Sequence, residues 1–403
     1  LYKPQYTVSG LSPLIRSFLS VTIAMCIVFF ASYLLPNQQH DLGAVISTVL
    51  FYMSFFVWVV LSRYVVSSWA KSKAEITNWV LYIDKLELNS EFIDSFIKNQ
   101  KRQNLKILLA SEESSQQKDK FSKSNKVEFI SSWDTLFNSE CLDVTGVVLG
   151  IKQDLLNRSV IEKLLALRLK GIRVYDVVGF YEKFWFKLPV FHLQQSWIIM
   201  ARGFNLLNAT LGLRLKKVID KILATTLLVL SSPILLIISI LVKISSKGPA
   251  LFKQIRTGEN GKDFKLIKFR TMCQDAEKDG AQWAQQNDPR VTKIGKLLRL
   301  TRLDELPQLW NVIMGEMSFI GPRPERPVFN KDLEKQIPFY DLRHLVRPGI
   351  TGWAQVLYPY GASVQDAKEK LQYDLFYIKN YSLFLDVAII LKTIRVILFG
   401  RGR

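Results

Sequence analysis

The stretch Arg299-Leu-Thr-Arg-Leu-Asp-Glu-Leu-Pro-Gln-Leu-Trp310 sets two carboxylates, Asp304 and Glu305, side by side among arginines and leucines. Adjacent acids in an apolar setting repel each other and resist desolvation. Arg299 and Arg302 offset part of that, and a divalent cation offsets the rest. Pro307 disfavours a helical Leu306 and suits the first turn of a helix running through Val312. The spacing therefore predicts both acids just ahead of a helix N-terminus, where the dipole favours anions.

Further cations lie within about the same 85 residues. Leu251-Phe-Lys-Gln-Ile-Arg256 and Phe264-Lys-Leu-Ile-Lys-Phe-Arg270 read as a hairpin turned at Asn260-Gly261, with Lys268 and Arg270 on one face. Asp288-Pro-Arg-Val-Thr292 follows. Arg323 stands between two prolines in Gly321-Pro-Arg-Pro324, which suits bidentate phosphate recognition. In Arg347-Pro-Gly-Ile-Thr-Gly352, Arg347 and Thr351 are candidate substrate contacts. Gly349 and Gly352 would let backbone N–H groups approach an anion. A carboxylate attacking a diphosphate meets like charge, about 4 kcal/mol per pair at 4 Å and an effective dielectric near 20. Fixed cations must cancel that before covalent catalysis by an aspartate is feasible. One acid then serves as nucleophile while its neighbour holds the metal.

The rest of the chain must position these groups. Its 403 residues allow two or three domains, and a net charge of +19 points to anionic partners. The apolar segments favour lipid and phosphate over nucleic acid. Three cysteines, Cys26, Cys141 and Cys273, and three histidines give no disulfide framework and no zinc spacing, so a metal here should be hard and oxygen-bound, Mg²⁺ before Zn²⁺. Residues 18–35 and 43–66 are long enough to span a bilayer, and their connector Pro36-Asn-Gln-Gln-His-Asp-Leu42 carries no lysine or arginine. With basic outer flanks, residues 1–70 read as a transmembrane helical hairpin whose two ends are cytoplasmic.

Residues 71–102 read as a linker, and 103–200 as a small α/β domain built on a parallel sheet. Strands are expected at 105–109, 127–130, 144–151 and 172–174, with a helix at 161–170. Ala110-Ser-Glu-Glu-Ser-Ser115 has no Gly-rich turn and sets two acids where a pyrophosphate would lie, so a structural or regulatory role is expected. The tract 114–126 reads as a surface loop. Residues 201–403 form the chemical domain. Within it, about 218–243 is a third apolar run broken at Ser232-Pro233, and both its flanks are basic. A re-entrant helix that enters the membrane and returns fits that pattern better than a kinked spanning one. The elements at 294–303 and 383–399 suit either the membrane interface or the protein core.

Residues 214–403 resemble the bacterial sugar transferases, the monotopic polyprenyl-phosphate phosphoglycosyl transferases. The resemblance rests on Lys268-Phe-Arg-Thr-Met272, Leu303-Asp-Glu-Leu-Pro-Gln-Leu309, Gly321-Pro-Arg-Pro324 and Arg347-Pro-Gly-Ile-Thr-Gly-Trp353, in that order after a Ser-Pro-broken helix. The front half resembles the large subgroup, which carries a Rossmann-like domain and typically four N-terminal spans; with two readable here, the chain is either truncated or departs from that pattern. The resemblance implies transfer of a phosphosugar from a UDP-sugar to undecaprenyl phosphate with release of UMP, as the initiating step of exopolysaccharide, capsule or O-antigen synthesis. It implies Asp304 as nucleophile, Glu305 as a Mg²⁺ ligand, Lys268, Arg270, Arg299 and Arg323 around the phosphates, and Ser232 and Pro233 at the re-entrant break. The expected fold is an α/β membrane protein with a mainly helical monotopic catalytic domain, on the cytoplasmic face of the bacterial inner membrane. Membrane lipids are expected partners, a homo-oligomer is open, and a non-enzymatic scaffold for polysaccharide assembly is the alternative.

Overall fold

The structure is a computed structural model that describes residues 77–99, 103–110, 127–130, 144–151, 153–193, 195–201, 203–204, 211–273, 288–358 and 363–398, with scattered single positions elsewhere. The expected membrane runs 18–35 and 43–66 and the tract 114–126 lie outside those stretches. Residues 77–185 and 186–398 fall into two compact units.

The first unit is a five-stranded parallel sheet of order β3-β2-β1-β4-β5, built from β1 (Thr77–Ile83), β2 (Gln103–Leu109), β3 (Val127–Ile130), β4 (Val144–Gly150) and β5 (Arg173–Asp176). That is the order of a doubly wound sheet. Its central strand, β1, falls in the stretch expected to be a linker. Both faces of β1 are covered, so it shows a continuous apolar run in place of alternation. Trp79, Leu81 and Ile83 pack on Phe92 and Phe96 of α1 (Leu86–Asn99) and on Phe180. Val80 and Tyr82 pack on the other side against Trp133 and against Val160 and Leu164 of α2 (Arg158–Leu169). The Asn89 amide donates to Lys85 O and Gly150 O, both at 3.1 Å, bridging the carboxyl ends of β1 and β4.

The second unit begins earlier than residue 201. Lys187 pairs with Glu369 at 2.8 Å and Leu188 N–H donates to Gln372 O, which stitches this segment to α8 (Val364–Lys379). Its longest element is α3 (Leu211–Ser245), 35 residues with Pro233 inside. A buried stripe, Lys216, Asp220, Ala224, Ile238 and Val242, runs along it, while Leu230, Leu236 and Ile237 are among many exposed apolar residues. The break expected at Ser232-Pro233 does not interrupt the helix. Pro233 has no N–H to give the carbonyl four residues back, and Ser232 Oγ donates to that carbonyl, Val229 O, at 2.7 Å.

After α3, strands β6 (Leu251–Thr257) and β7 (Asp263–Phe269) form the expected antiparallel hairpin, with Asn260 and Gly261 at positive φ in the turn. Then come α4 (Lys293–Thr301), α5 (Gln308–Met314) and β8 (Ser318–Ile320), which pairs in parallel with β9 (Gly349–Thr351). The helices α6 (Pro327–Gln336), α7 (Trp353–Leu357), α8 and α9 (Leu383–Leu398) complete the unit. α9 packs on the core through Leu385, Ala388 and Ile389. α4 divides its apolar residues, with Leu298 buried and Leu297 and Leu300 exposed.

Candidate active site

The acid pair sits on a short 3-10 turn, Leu303–Glu305, wedged between α4 and α5. Arg302 ends α4 in the left-handed region (φ 58°), which turns the chain sharply into the acids. Leu306 is helical, contrary to the expectation from the following proline, and Pro307 is the N-cap of α5. Local steric preference gives way because Leu306 and Leu309 are drawn into the core with Phe264 and Leu266. Both acids are therefore buried, at 7% and 9% exposure.

Their environments differ. Asp304 Oδ1 is buried and has no hydrogen-bond partner among the described residues. Burial, then the neighbouring Glu305 charge, pushes its pKa up to about 6. Glu305 is also desolvated, yet Arg323 and Arg302 hold it below the usual carboxylate range. Arg323 Nη2 donates to Glu305 Oε1 at 2.9 Å, and Arg302 Nη1 approaches the same oxygen at 3.5 Å. One acid is thus charge-neutralised by guanidinium groups, while the other lines the cavity with no ion pair among the described residues, a separation of roles that suits nucleophile and neighbour.

A cavity of about 690 Å³ opens over the pair, lined by Lys268, Arg270, Arg299, Arg302 and Arg323 as well as by both acids. That volume suits a nucleotide-sized ligand. Lys268 lies over the Phe252 ring at 5.3 Å. Its burial, followed by the charges of Arg256, Arg299 and Arg323, brings its pKa down to about 8. Arg299 Nε donates to Thr271 Oγ1 at 2.8 Å. Arg270 Nη2 is turned toward the end of α3, donating to Ser246 O at 2.7 Å, while its Nε and Nη1 are buried without a partner among the described residues.

Three expected contacts lie elsewhere. Arg347 pairs with Glu259 at 3.1 Å, outside the cavity lining. Thr351 Oγ1 shares a hydrogen bond with Thr393, and Gly349 N–H donates to Pro322 O. The Gly349 N–H is thus engaged within the fold, and both glycines allow close backbone packing. A Cβ on Gly349 would lie 2.1 Å from Gly321 N, and one on Gly352 would lie 2.2 Å from Gly321 O. Conversely, Arg256, Arg290, Arg343, Lys370 and Asp374 line the cavity and were not singled out from the sequence. Strand parity places Arg256 on the Lys268 face of the hairpin, a signal present in the sequence. The Arg343–Asp374 pair bridges 31 residues and carries no local signature.

Magnesium, implied by the resemblance, meets a modest donor set. No group of three or more acidic, histidine or cysteine side chains is gathered in one place among the described residues. The unpartnered Asp304 Oδ1 beside Glu305 fits the way Mg²⁺ is held, by one or two carboxylates together with substrate phosphate oxygens and water.

Residues 211–400 match the family described as bacterial sugar transferase. The chain is 43% identical over 247 residues to the UDP-N-acetylgalactosamine-undecaprenyl-phosphate N-acetylgalactosaminephosphotransferase of Aeromonas hydrophila, covering 57% of this chain and 58% of that protein. It is 45% identical over 181 residues to the UDP-glucose:undecaprenyl-phosphate glucose-1-phosphate transferase of Klebsiella pneumoniae, covering 44% of this chain and 39% of the other. Against the exopolysaccharide production protein PSS of Rhizobium leguminosarum it is 40% identical over 190 residues, covering 46% of this chain and 95% of that protein. The chain thus spans between about two fifths and three fifths of the length of the first two relatives.

Proposed function

The chain belongs to the bacterial sugar transferase family, and from that premise we propose that it transfers a sugar 1-phosphate from a UDP-sugar to undecaprenyl phosphate, releasing UMP, to initiate a surface polysaccharide. The observation that carries the reading is the Asp304 carboxylate. Its Oδ1 is buried and has no hydrogen-bond partner among the described residues, in a cavity whose wall presents Lys268, Arg299 and Arg323.

In this mechanism an Asp304 oxygen attacks the sugar-bearing phosphorus of the donor. The new bond is P–O to Asp304, the broken one joins the two phosphorus centres through oxygen, and UMP leaves with the electron pair. An oxygen of undecaprenyl phosphate then attacks the same phosphorus and releases Asp304, giving the undecaprenyl diphosphate sugar. Lys268, Arg299 and Arg323 offset the charge of the phosphate oxygens in both steps. Glu305, with the donor's diphosphate, would hold Mg²⁺, which supplies further charge cancellation when bound.

We also propose that α3 enters the cytoplasmic leaflet of the inner membrane and does not cross it. Its exposed face is apolar, as an acceptor embedded in lipid requires. Support comes from both ends seating on one catalytic unit. Lys216 pairs with Asp386 at 2.7 Å near the start, and Arg270 reaches Ser246 O just past the end. A spanning helix would leave those ends on opposite sides of the bilayer. Labelling of cysteines placed at Lys217 and Lys247 tests this: both should react from the cytoplasmic side, and outward reactivity of either contradicts re-entry.

The activity is tested by incubating the full chain with undecaprenyl phosphate and a panel of UDP-sugars while UMP is monitored. One donor should release UMP and leave a phosphosugar adduct on Asp304, and Asp304→Asn should abolish both. Unchanged UMP release by Asp304→Asn removes Asp304 from the nucleophile's role.

A further inference from the structure

Arg323 stands in an irregular segment between β8 and α6, and its side chain, 44% exposed, reaches Glu305 with one nitrogen. One charge-assisted hydrogen bond orients its guanidinium. Two prolines restrict the local torsions, yet the two peptide planes around Arg323 and Pro324 still need an external hold.

Two other arginines, standing on different elements, supply that hold. Arg343 Nη2 donates to Arg323 O at 2.9 Å. The same nitrogen meets Asp374 at 2.9 Å, with side-chain exposures of 6% for Arg343 and 2% for Asp374, and Arg343 Nη1 donates to Tyr340 Oη at 2.6 Å. From the hairpin, Arg256 Nη1 donates to Pro324 O at 3.0 Å and to Glu325 Oε2 at 3.3 Å, while Nη2 donates to Gln254 Oε1 at 2.7 Å. Thr257 N–H adds a bond to Glu325 O at 3.0 Å. Consecutive carbonyls, 323 and 324, are therefore each held by a guanidinium that is itself anchored by a carboxylate. Charge-assisted bonds of this kind are short and directional.

We propose that Arg256 and Arg343 are positioning residues: together they clamp the Arg323-Pro324 backbone and so set where the Arg323 guanidinium meets Glu305 and the donor's phosphates. This rests on the donor reading above. Asp374 acts one step further back, orienting Arg343. Because Arg256 and Arg343 also line the cavity, the rival is direct contact with the ligand, and the two differ in additivity.

The test is a double-mutant cycle on the full chain in detergent, reading UDP affinity by calorimetry with thermal melts as a check on folding. Arg323→Ala should weaken UDP binding roughly 10- to 100-fold, as loss of a charge-assisted contact implies. Arg256→Gln should weaken it about ten-fold alone, in keeping with a lost positioning bond, but less than about two-fold in the Arg323→Ala background. Arg256→Lys should recover part of the loss. Arg343→Lys, which keeps charge in the buried site, should show the same dependence on Arg323 and serves if Arg256→Gln fails to fold. Equal losses in both backgrounds, or no loss on changing Arg256 or Arg343, overturn the clamp alone. Wild-type UDP affinity in Arg323→Ala overturns the donor-phosphate role of Arg323, and the clamp with it.

Discussion

Arg323 donates to Glu305 at 2.9 Å across 18 residues of chain, so the acid next to Asp304 carries its own counter-charge. The pair is asymmetric for that reason: the Arg323 guanidinium and its neighbour Arg302 keep Glu305 ionised, while Asp304 is left to the cavity. Replacing Arg323 with lysine retains a charge but loses the planar fork. UMP release should fall roughly ten-fold with Arg323→Lys and up to about 100-fold with Arg323→Ala, since a charge-assisted bond is about twice as strong as a neutral one. Initial rates over a donor titration measure both.

Lys268 should give the proposed activity an alkaline limit. Its pKa is depressed to about 8 by burial and by three arginines, so the charged form holds below that value and is lost as pH rises through it. The rate of UMP release should decline above about pH 8. In Lys268→Arg the decline should move to higher pH, because a guanidinium stays protonated. A pH–rate profile of the two proteins, with stability checked at each pH, decides the matter. An unshifted limb in the arginine variant assigns the titration to another group.

The buried pair Lys216–Asp386, at 2.7 Å with each side chain 9% exposed, ties α3 to α9. Removing one partner strands the other charge, at a cost of about 3–5 kcal/mol. Lys216→Met should therefore lower the unfolding midpoint strongly in detergent. Adding Asp386→Leu should recover much of the loss, which denaturation curves of single and double variants will show.

Ser232 and Pro233 act as a unit. Ser232→Ala leaves Val229 O without its donor and should cost about 1 kcal/mol. Pro233→Ala restores a backbone N–H to that carbonyl, after which Ser232→Ala should have little effect. Thermal melts of the four proteins in the same detergent report the coupling.

At Gly349 the expected outcome is structural. An added Cβ would meet the Gly321 backbone at 2.1 Å, and backbone on both sides has nowhere to go. Gly349→Ala should prise β8 from β9 and give protein with a much lowered melting midpoint, whether or not donor is present.

The sequence made the hairpin and the acid pair readable because both are local. Asn260-Gly261 sets the turn, and strand parity carries Lys268 and Arg256 to the same face. Strands β2 to β5 were recognisable from their branched apolar runs. Strand β1 was not, because burial on both faces erases the alternation that marks a strand and leaves Trp79–Ile83 looking like any apolar stretch. Arg347, Gly349 and Thr351 looked like an anion site since glycine permits close approach, but the close approach here is to Gly321, and only the tertiary fold reveals that. Arg343 and Asp374 were invisible for a related reason: an isolated arginine and an isolated aspartate carry no mark of a pairing made through the core. Ser232 misled in an informative way, since a Ser-Pro pair reads as a stop while the hydroxyl mends the helix.

The stripe along α3 has a practical consequence. Ala224 belongs to the same core as Phe264, Leu309 and Val312, and Ile238 and Val242 to that of Phe269 and Leu298. The apolar helix is thus one wall of the second unit, and removing it to obtain a soluble fragment that starts after residue 245 would lay those side chains open to water and yield aggregate.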